Sequence, residues 1–216
     1  MNLLIMGPAG SGKGTISDKI IAKFNVEHLS TGNLLRDTIK NNGPYSKQIR
    51  DLMDNGLLVT DSIINGLVEE YMIKLDGKKG FILDGFPRTL PQAKEFDRIL
   101  SSTNQTIDVI INLQIDFESL AERITGRRIC GSCGSIYHIL YSPSKEENKC
   151  DKCHEKLIQR SDDSEEQLKV RLKEHQTNTE PVLNYYRETR RVYDVDASKT
   201  PDEVFNCISE LLESIK

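Results

Sequence analysis

The sequence predicts an α/β fold in which helices wrap a parallel sheet, and two observations carry that prediction. Short apolar runs recur at residues 3–6, 81–83, 109–113 and 192–195, with a weaker one near 28–30, and stretches of helical periodicity separate them. Strands alternating with helices in this way imply crossover connections, hence a parallel sheet covered on both faces. The second observation is the run Gly7, Pro8, Ala9, Gly10, Ser11, Gly12, Lys13, Gly14, Thr15, directly behind the first apolar strand. Glycines between a buried strand and a helix start let successive backbone N–H groups converge on one point, where the helix dipole also favours negative charge. Lys13 adds a full positive charge, so the loop reads as a phosphate cradle.

The other elements follow in order. Ile16, Ile20, Ile21 and Phe24 mark one face of a first helix. From about 31 to 75 the pattern is helical throughout, and Ile63, Ile64, Leu67, Val68, Tyr71 and Met72 mark a buried face within it. A second break in the alternation spans about 126–163 and is rich in Cys, Gly, Ser and Pro; each break reads as a lobe added to the core. The charged stretch 162–166 opens a helix with Ser164 as its cap. Thr200, Pro201, Asp202 and Glu203 start the last helix. Its apolar spacing, with Val204, Phe205, Ile208, Leu211 and Leu212, predicts that Cys207 is a small core hydrophobe. In such sheets ligands gather at the carboxyl ends of the strands, where 10–15, 30–36 and 84–88 all fall.

At 216 residues the chain suits one core domain with insertions. A formal net charge of −4 argues against work on nucleic acid through a basic surface. Apolar stretches such as 107–113 are too short to cross a bilayer, and the N-terminus lacks a basic region followed by a cleavable apolar segment. The expectation is a cytoplasmic protein with no nucleic-acid or membrane partner. In that setting two CxxC pairs favour metal over disulfide.

Four groups of residues carry chemistry. The generic phosphate loop places a Ser or Thr directly after its lysine to hold magnesium; Gly14 takes that slot here and the hydroxyl moves on to Thr15. Mg²⁺ is then expected on substrate phosphates, water and a carboxylate. Cys130, Cys133, Cys150 and Cys153 have the spacing of a tetrahedral, structural Zn²⁺ site, with His138 and His154 read as ordinary surface or packing residues. Asp84, Gly85, Phe86, Pro87 and Arg88 follow a strand: the carboxylate suits magnesium-bound water, and the arginine presents a planar fork for phosphate. Ser30, Thr31, Gly32, Asn33, Leu34, Leu35 and Arg36 read as a second anion site. Arg123, Arg127 and Arg128 precede the cysteines and Arg160 and Arg171 follow them, so closure of that lobe would gather several guanidiniums on one spot.

These motifs resemble the long-form, zinc-containing bacterial adenylate kinases over essentially the whole chain. The matching stretches are GKGT at 12–15, STGNLLR at 30–36, GLLV at 56–59, DGFPRTLPQA at 84–93, ERITGRRICGSCG at 122–134, IYH at 136–138 and QRSDD at 159–163. The resemblance implies a phosphate-loop nucleoside monophosphate kinase fold: a core of 1–29, 60–125 and 164–216, a helical AMP-binding lobe at 30–59, and a zinc-containing lid at 126–163. It implies a monomer that transfers the terminal phosphoryl group of Mg-ATP to AMP, giving two ADP.

By similarity, Gly10, Ser11, Gly12, Lys13, Gly14 and Thr15 cradle ATP, with Arg127, Ile136 and Tyr137 around it and Lys199 at the adenine. Thr31, Arg36, Leu57, Leu58, Val59, Gly85, Phe86, Pro87, Arg88 and Gln92 hold AMP, and Arg160 and Arg171 reach its phosphate. Lys13, Asp84, Arg88, Arg123, Arg160 and Arg171 form the catalytic set. Asn33 stands where an acidic residue is usual, Leu57 where a charged one is common, and Pro8 with Ala9 departs from the usual proline placement. A kinase for UMP, CMP or GMP is the nearer alternative; a zinc-ribbon nucleic-acid-binding ATPase is the remoter one.

Overall fold

The computed structural model describes residues 1–75 and 79–215. In chain order, β1 (Leu3–Met6) runs through the glycine loop into α1 (Lys13–Phe24), and β2 (Glu27–Ser30) leads to α2 (Thr31–Lys40), α3 (Ser46–Asp54) and α4 (Asp61–Lys74). Then come β3 (Phe81–Asp84), α5 (Leu90–Ser102), β4 (Val109–Gln114) and α6 (Phe117–Thr125). Three short strands follow, β5 (Arg127–Cys130), β6 (Ile136–His138) and β7 (Leu157–Ile158), then α7 (Glu165–Glu174), a π-helical segment (His175–Thr179) and α8 (Glu180–Thr189). The chain finishes with β8 (Val192–Asp196) and α9 (Pro201–Ile215).

Five strands form a parallel sheet in the order β2-β3-β1-β4-β8. Side chains alternate across a strand, so β1 serves two cores at once. Leu3 and Ile5 join Ile16 and Ile20 of α1 and Val204, Ile208 and Leu212 of α9 on one face. Leu4 and Met6 meet α4, α5 and α8 on the other, through residues such as Val68, Phe96 and Tyr186. Burial on both faces explains why these strands read as continuous apolar runs. β1 lies between β3 and β4, which the chain reaches on opposite sides, so the crevice at its carboxyl end is a topological switch point.

The cysteine-bearing segment forms its own antiparallel sheet, β6-β5-β7, with Arg127 opposite His138 and Cys130 opposite Leu157. Its buried cluster is small: Cys130, Tyr137, Cys150 and Leu157, with Cys153 packed against it. Ser164 caps α7 as expected, its side chain accepting from the Gln167 backbone N–H.

One expectation fails here. Cys207 is exposed rather than part of the core. The buried stripe of α9 runs through Val204, Ile208 and Leu212, and neighbouring residues on a helix are about 100° apart, so Cys207 falls outside it.

Candidate active site

The phosphate loop is built to receive an anion. Gly12 caps α1 in the left-handed region (φ 93°), which a side chain would resist, and neither a side-chain cap nor a first-turn acid occupies the helix's free N–H groups. Lys13 Nζ meanwhile donates to the carbonyl oxygens of Gly7 and Pro8, each at 2.8 Å. Burial pushes the Lys13 ammonium down to a pKa of about 8; Asp84 opposes that shift, while Arg88, Arg171 and Arg127 add to it. Gly14 faces the cysteine lobe, and a Cβ there would come within 3.0 Å of Ile136 Cδ1.

At the end of β3 the chain is held by short polar contacts. Gly85 has φ 81°, and a Cβ on it would approach Arg88 Nη2 to 2.9 Å and Thr31 Oγ1 to 3.1 Å. Thr31 Oγ1 lies 3.0 Å from the Gly85 carbonyl and donates to it, tying the start of α2 to this loop. Arg88 Nε donates to the same carbonyl at 2.7 Å. Gln92 is buried; its amide accepts from the Arg88 N–H at 2.7 Å and donates to Asp61 Oδ1 at 2.6 Å. Asn33 Oδ1 accepts from Arg36 Nη2 at 2.7 Å, holding that arginine in place.

The arginines converge from several elements. Arg127 Nε donates to Asp163 Oδ2 at 2.9 Å, Arg171 Nη1 pairs with Asp162 Oδ2 at 2.9 Å, and Arg123 Nη2 reaches the Lys199 carbonyl at 3.2 Å. Arg160 Nε is buried with no partner among the described residues. Burial lowers Arg88 to a pKa of about 10, helped by Arg171, and Arg160 to about 9, helped by Arg127 and Arg36. Arg36, Arg123 and Arg171 shift the same way for the same first cause. All remain charged at neutral pH, so the cavity concentrates positive charge at a cost that entering anions relieve.

A single cavity of about 1060 Å³ is lined by residues 10–15, Thr31, Arg36, 57–59, 84–88, Gln92, Arg123, Arg127, Ile136, Tyr137, Arg160, Arg171 and Lys199. Every nucleotide-site residue read from the sequence thus borders one space. Arg128 does not; its guanidinium donates to the carbonyls of Thr125 and Arg127 instead. Tyr137 divides its loyalties: it borders the cavity, but its hydroxyl sits 3.4 Å from Cys150 Sγ and accepts from the Asp151 N–H at 2.7 Å.

His138, read from the sequence as a surface or packing residue, packs on Tyr141 with ring centroids 4.6 Å apart, and it also borders the cavity. Its Nδ1 accepts from the Leu140 and Tyr141 backbone N–H groups at 3.1 and 3.2 Å. Sequence reasoning also passed over Asp162, Tyr141 and His175 as cavity residues. For Asp162 the signal was its place within the matched stretch at 159–163; nothing local marked the others.

The four cysteine sulfurs all lie within 4.8 Å of one another, with Cys130 and Cys153 at 3.3 Å and Cys133 and Cys150 at 3.4 Å. Tetrahedral zinc with bonds of about 2.3 Å places its sulfurs roughly 3.8 Å apart, so this donor set fits structural zinc. Backbone N–H groups of Cys133 and Lys152 point at the sulfurs of Cys130 and Cys150, as thiolate ligands favour. For magnesium the fit is looser: the Asp84 carboxylate lines the cavity and suits hydrated metal on a phosphate chain.

The profile of the adenylate kinase family matches residues 5–191. The chain belongs to that family. It is 44% identical over 216 residues to an adenylate kinase of Archaeoglobus fulgidus, covering 100% of both chains. An adenylate kinase of Carboxydothermus hydrogenoformans is 44% identical over 213 residues (99% of this chain, 100% of the relative), and one of Clostridium botulinum 42% over 212 residues, 98% of each. The chain is therefore an enzyme that moves a phosphoryl group from Mg-ATP to AMP, giving ADP.

Proposed function

We propose that the cavity performs this transfer by gathering two mutually repelling phosphate chains among buried cations, with no covalent enzyme intermediate. The observation that carries the reading is the convergence of Lys13, Arg36, Arg88, Arg160 and Arg171 on one cavity, five cations from different elements whose burial disfavours their charge until polyanions enter. Phosphoryl transfer spreads negative charge over the equatorial oxygens, so cations and positioning supply most of the catalysis. The attacking phosphate oxygen is already ionised and needs no general base. Asp84 would hold water on the magnesium that comes with ATP, an ion that would neutralise charge on the phosphates.

In this reading residues 10–15, Arg123, Arg127, Ile136, Tyr137 and Lys199 bind ATP. Thr31, Arg36, 57–59, 85–88 and Gln92 bind AMP, with Arg160 and Arg171 at its phosphate. Gln92 already spends its amide on Arg88 and Asp61, which fixes it against the wall where adenine would lie. Residues 30–59 and 126–163 act as the two closing lobes, supported by the close approach of Gly14 to Ile136. Closure over both nucleotides denies water access to the donor. We read the enzyme as monomeric and cytoplasmic, as the family resemblance suggests; its net charge of −4 argues against a nucleic-acid partner, and among the described residues no helix is long and apolar enough to cross a membrane.

The test is ADP formation from ATP with AMP, UMP, CMP or GMP as acceptor, and with none. Strong AMP preference and negligible ATP loss without acceptor are expected. Equal consumption of ATP with and without acceptor would overturn the reading.

A further inference from the structure

His175 lines the phosphate cavity, yet neither the mechanism above nor the sequence motifs use it. It opens the π-helical segment His175–Thr179, a local widening of the helix between α7 and α8 of a kind often retained at functional sites. That segment is tied to the catalytic loop, since Thr179 Oγ1 donates to the Arg88 carbonyl at 3.1 Å. Its ring nitrogen Nε2 is buried and has no hydrogen-bond partner among the described residues. An orphaned buried polar atom beside a ligand cavity calls for a partner that arrives with the ligand.

The charges bearing on the ring come from two other elements: Lys13 at the start of α1 and Arg88 in the β3–α5 loop. On its own side Glu174 borders the cavity, with its carboxylate accepting from Asn178 Nδ2 at 3.0 Å. Two cations nearby favour the tautomer that turns a lone pair, not a proton, toward them.

We propose that His175 is a phosphate ligand of the closed enzyme, its Nε2 taking a proton from solvent when both nucleotides enter and then donating to their phosphates. In the free enzyme burial, and then the fields of Lys13 and Arg88, push the ring down to a pKa of about 4, so it is neutral. Two phosphate chains reverse those fields, and the charged ring becomes the favoured form. The inference rests on Lys13 and Arg88 being phosphate ligands.

Calorimetric titration of the zinc-loaded, full-length enzyme with diadenosine pentaphosphate and Mg²⁺ at about pH 6, in two buffers of different ionisation enthalpy, counts the protons taken up. Wild type should take up roughly half to one proton more than His175→Gln or His175→Asn. The ring ¹⁵N shifts of His175 in the wild-type complex, which need no variant to fold, should be those of imidazolium. Equal proton counts, or a neutral ring in the complex, would overturn the role of His175 while leaving the cavity reading intact. Failure of the analogue to bind wild type at all would overturn both.

Discussion

Ser161 Oγ donates to Asp54 Oδ1 at 2.7 Å, joining the segment between β7 and α7 to the last residue of α3. Close by, a Cβ on Gly56 would come 2.7 Å from Gln167 Oε1 and 3.2 Å from Arg171 Cγ. The two proposed lobes therefore meet one another as well as the core. A hydrogen bond to a carboxylate is worth about 1.5–3 kcal/mol when shielded and less at an exposed site such as this. Ser161→Ala is expected to raise KM for both nucleotides a few-fold, leave the melting temperature unchanged and keep or raise kcat. Steady-state kinetics with both substrates varied would check it; an unchanged KM would mean the contact does not contribute to closure.

Arg88→Ala is expected to lower kcat by about 10²–10³-fold. Its thermal midpoint in the free enzyme should hold or rise, because burial and Arg171 disfavour the charge that is removed. Kinetics paired with a melting curve would test this; wild-type turnover would remove Arg88 from the catalytic set.

The Lys13 ammonium predicts an alkaline limb in ATP binding. Its pKa is lowered to about 8 from 10.5, so the free enzyme loses this charge as pH rises through about 8, and ATP affinity should fall there. The sign for stability is opposite. Between about pH 8 and 10.5 the unfolded chain binds more protons at this site than the folded one, so folding stability from this group rises with pH across that window. Lys13→Arg, which keeps its charge, should flatten the binding limb in a calorimetric pH series without AMP.

Chelation of the metal should act on the cysteine lobe first. Its buried cluster is too small to hold a fold unaided. Treatment with a strong chelator, or Cys153→Ser, is expected to lower the first melting transition and raise ATP hydrolysis relative to transfer, with activity declining as the lobe loosens. Instant, fully reversible loss of turnover before any unfolding would instead mark a catalytic metal.

The central strands were legible because burial on both faces spells them in consecutive apolar residues, β1 most clearly with all four residues buried, whereas the edge strands β2 and β8 are only partly buried and read more weakly. The cysteine cluster and the cavity wall were legible because ligand spacing and strand ends are local properties. Cys207 was misread for a rotational reason: membership of an apolar helical segment does not place a residue on its buried arc. That His138 borders the cavity as well as packing on Tyr141 depends on the pairing of β6 with β5, opposite Arg127, which no local pattern reports. His175 carried no motif at all, and its place on the cavity wall is visible only in the fold.

The bare backbone at Gly14 has a consequence for how the enzyme cycles. A Cβ on Gly14 would come 3.0 Å from Ile136 Cδ1, so a side chain there, such as the hydroxyl residue of the generic phosphate loop, would crowd the proposed closing lobe. Without that hydroxyl the phosphate loop supplies the cation no side-chain ligand after Lys13, which on the proposed reading leaves it to travel with the nucleotide. On that reading, headroom for a closing lobe and freedom to exchange the metal come from the same missing side chain at Gly14.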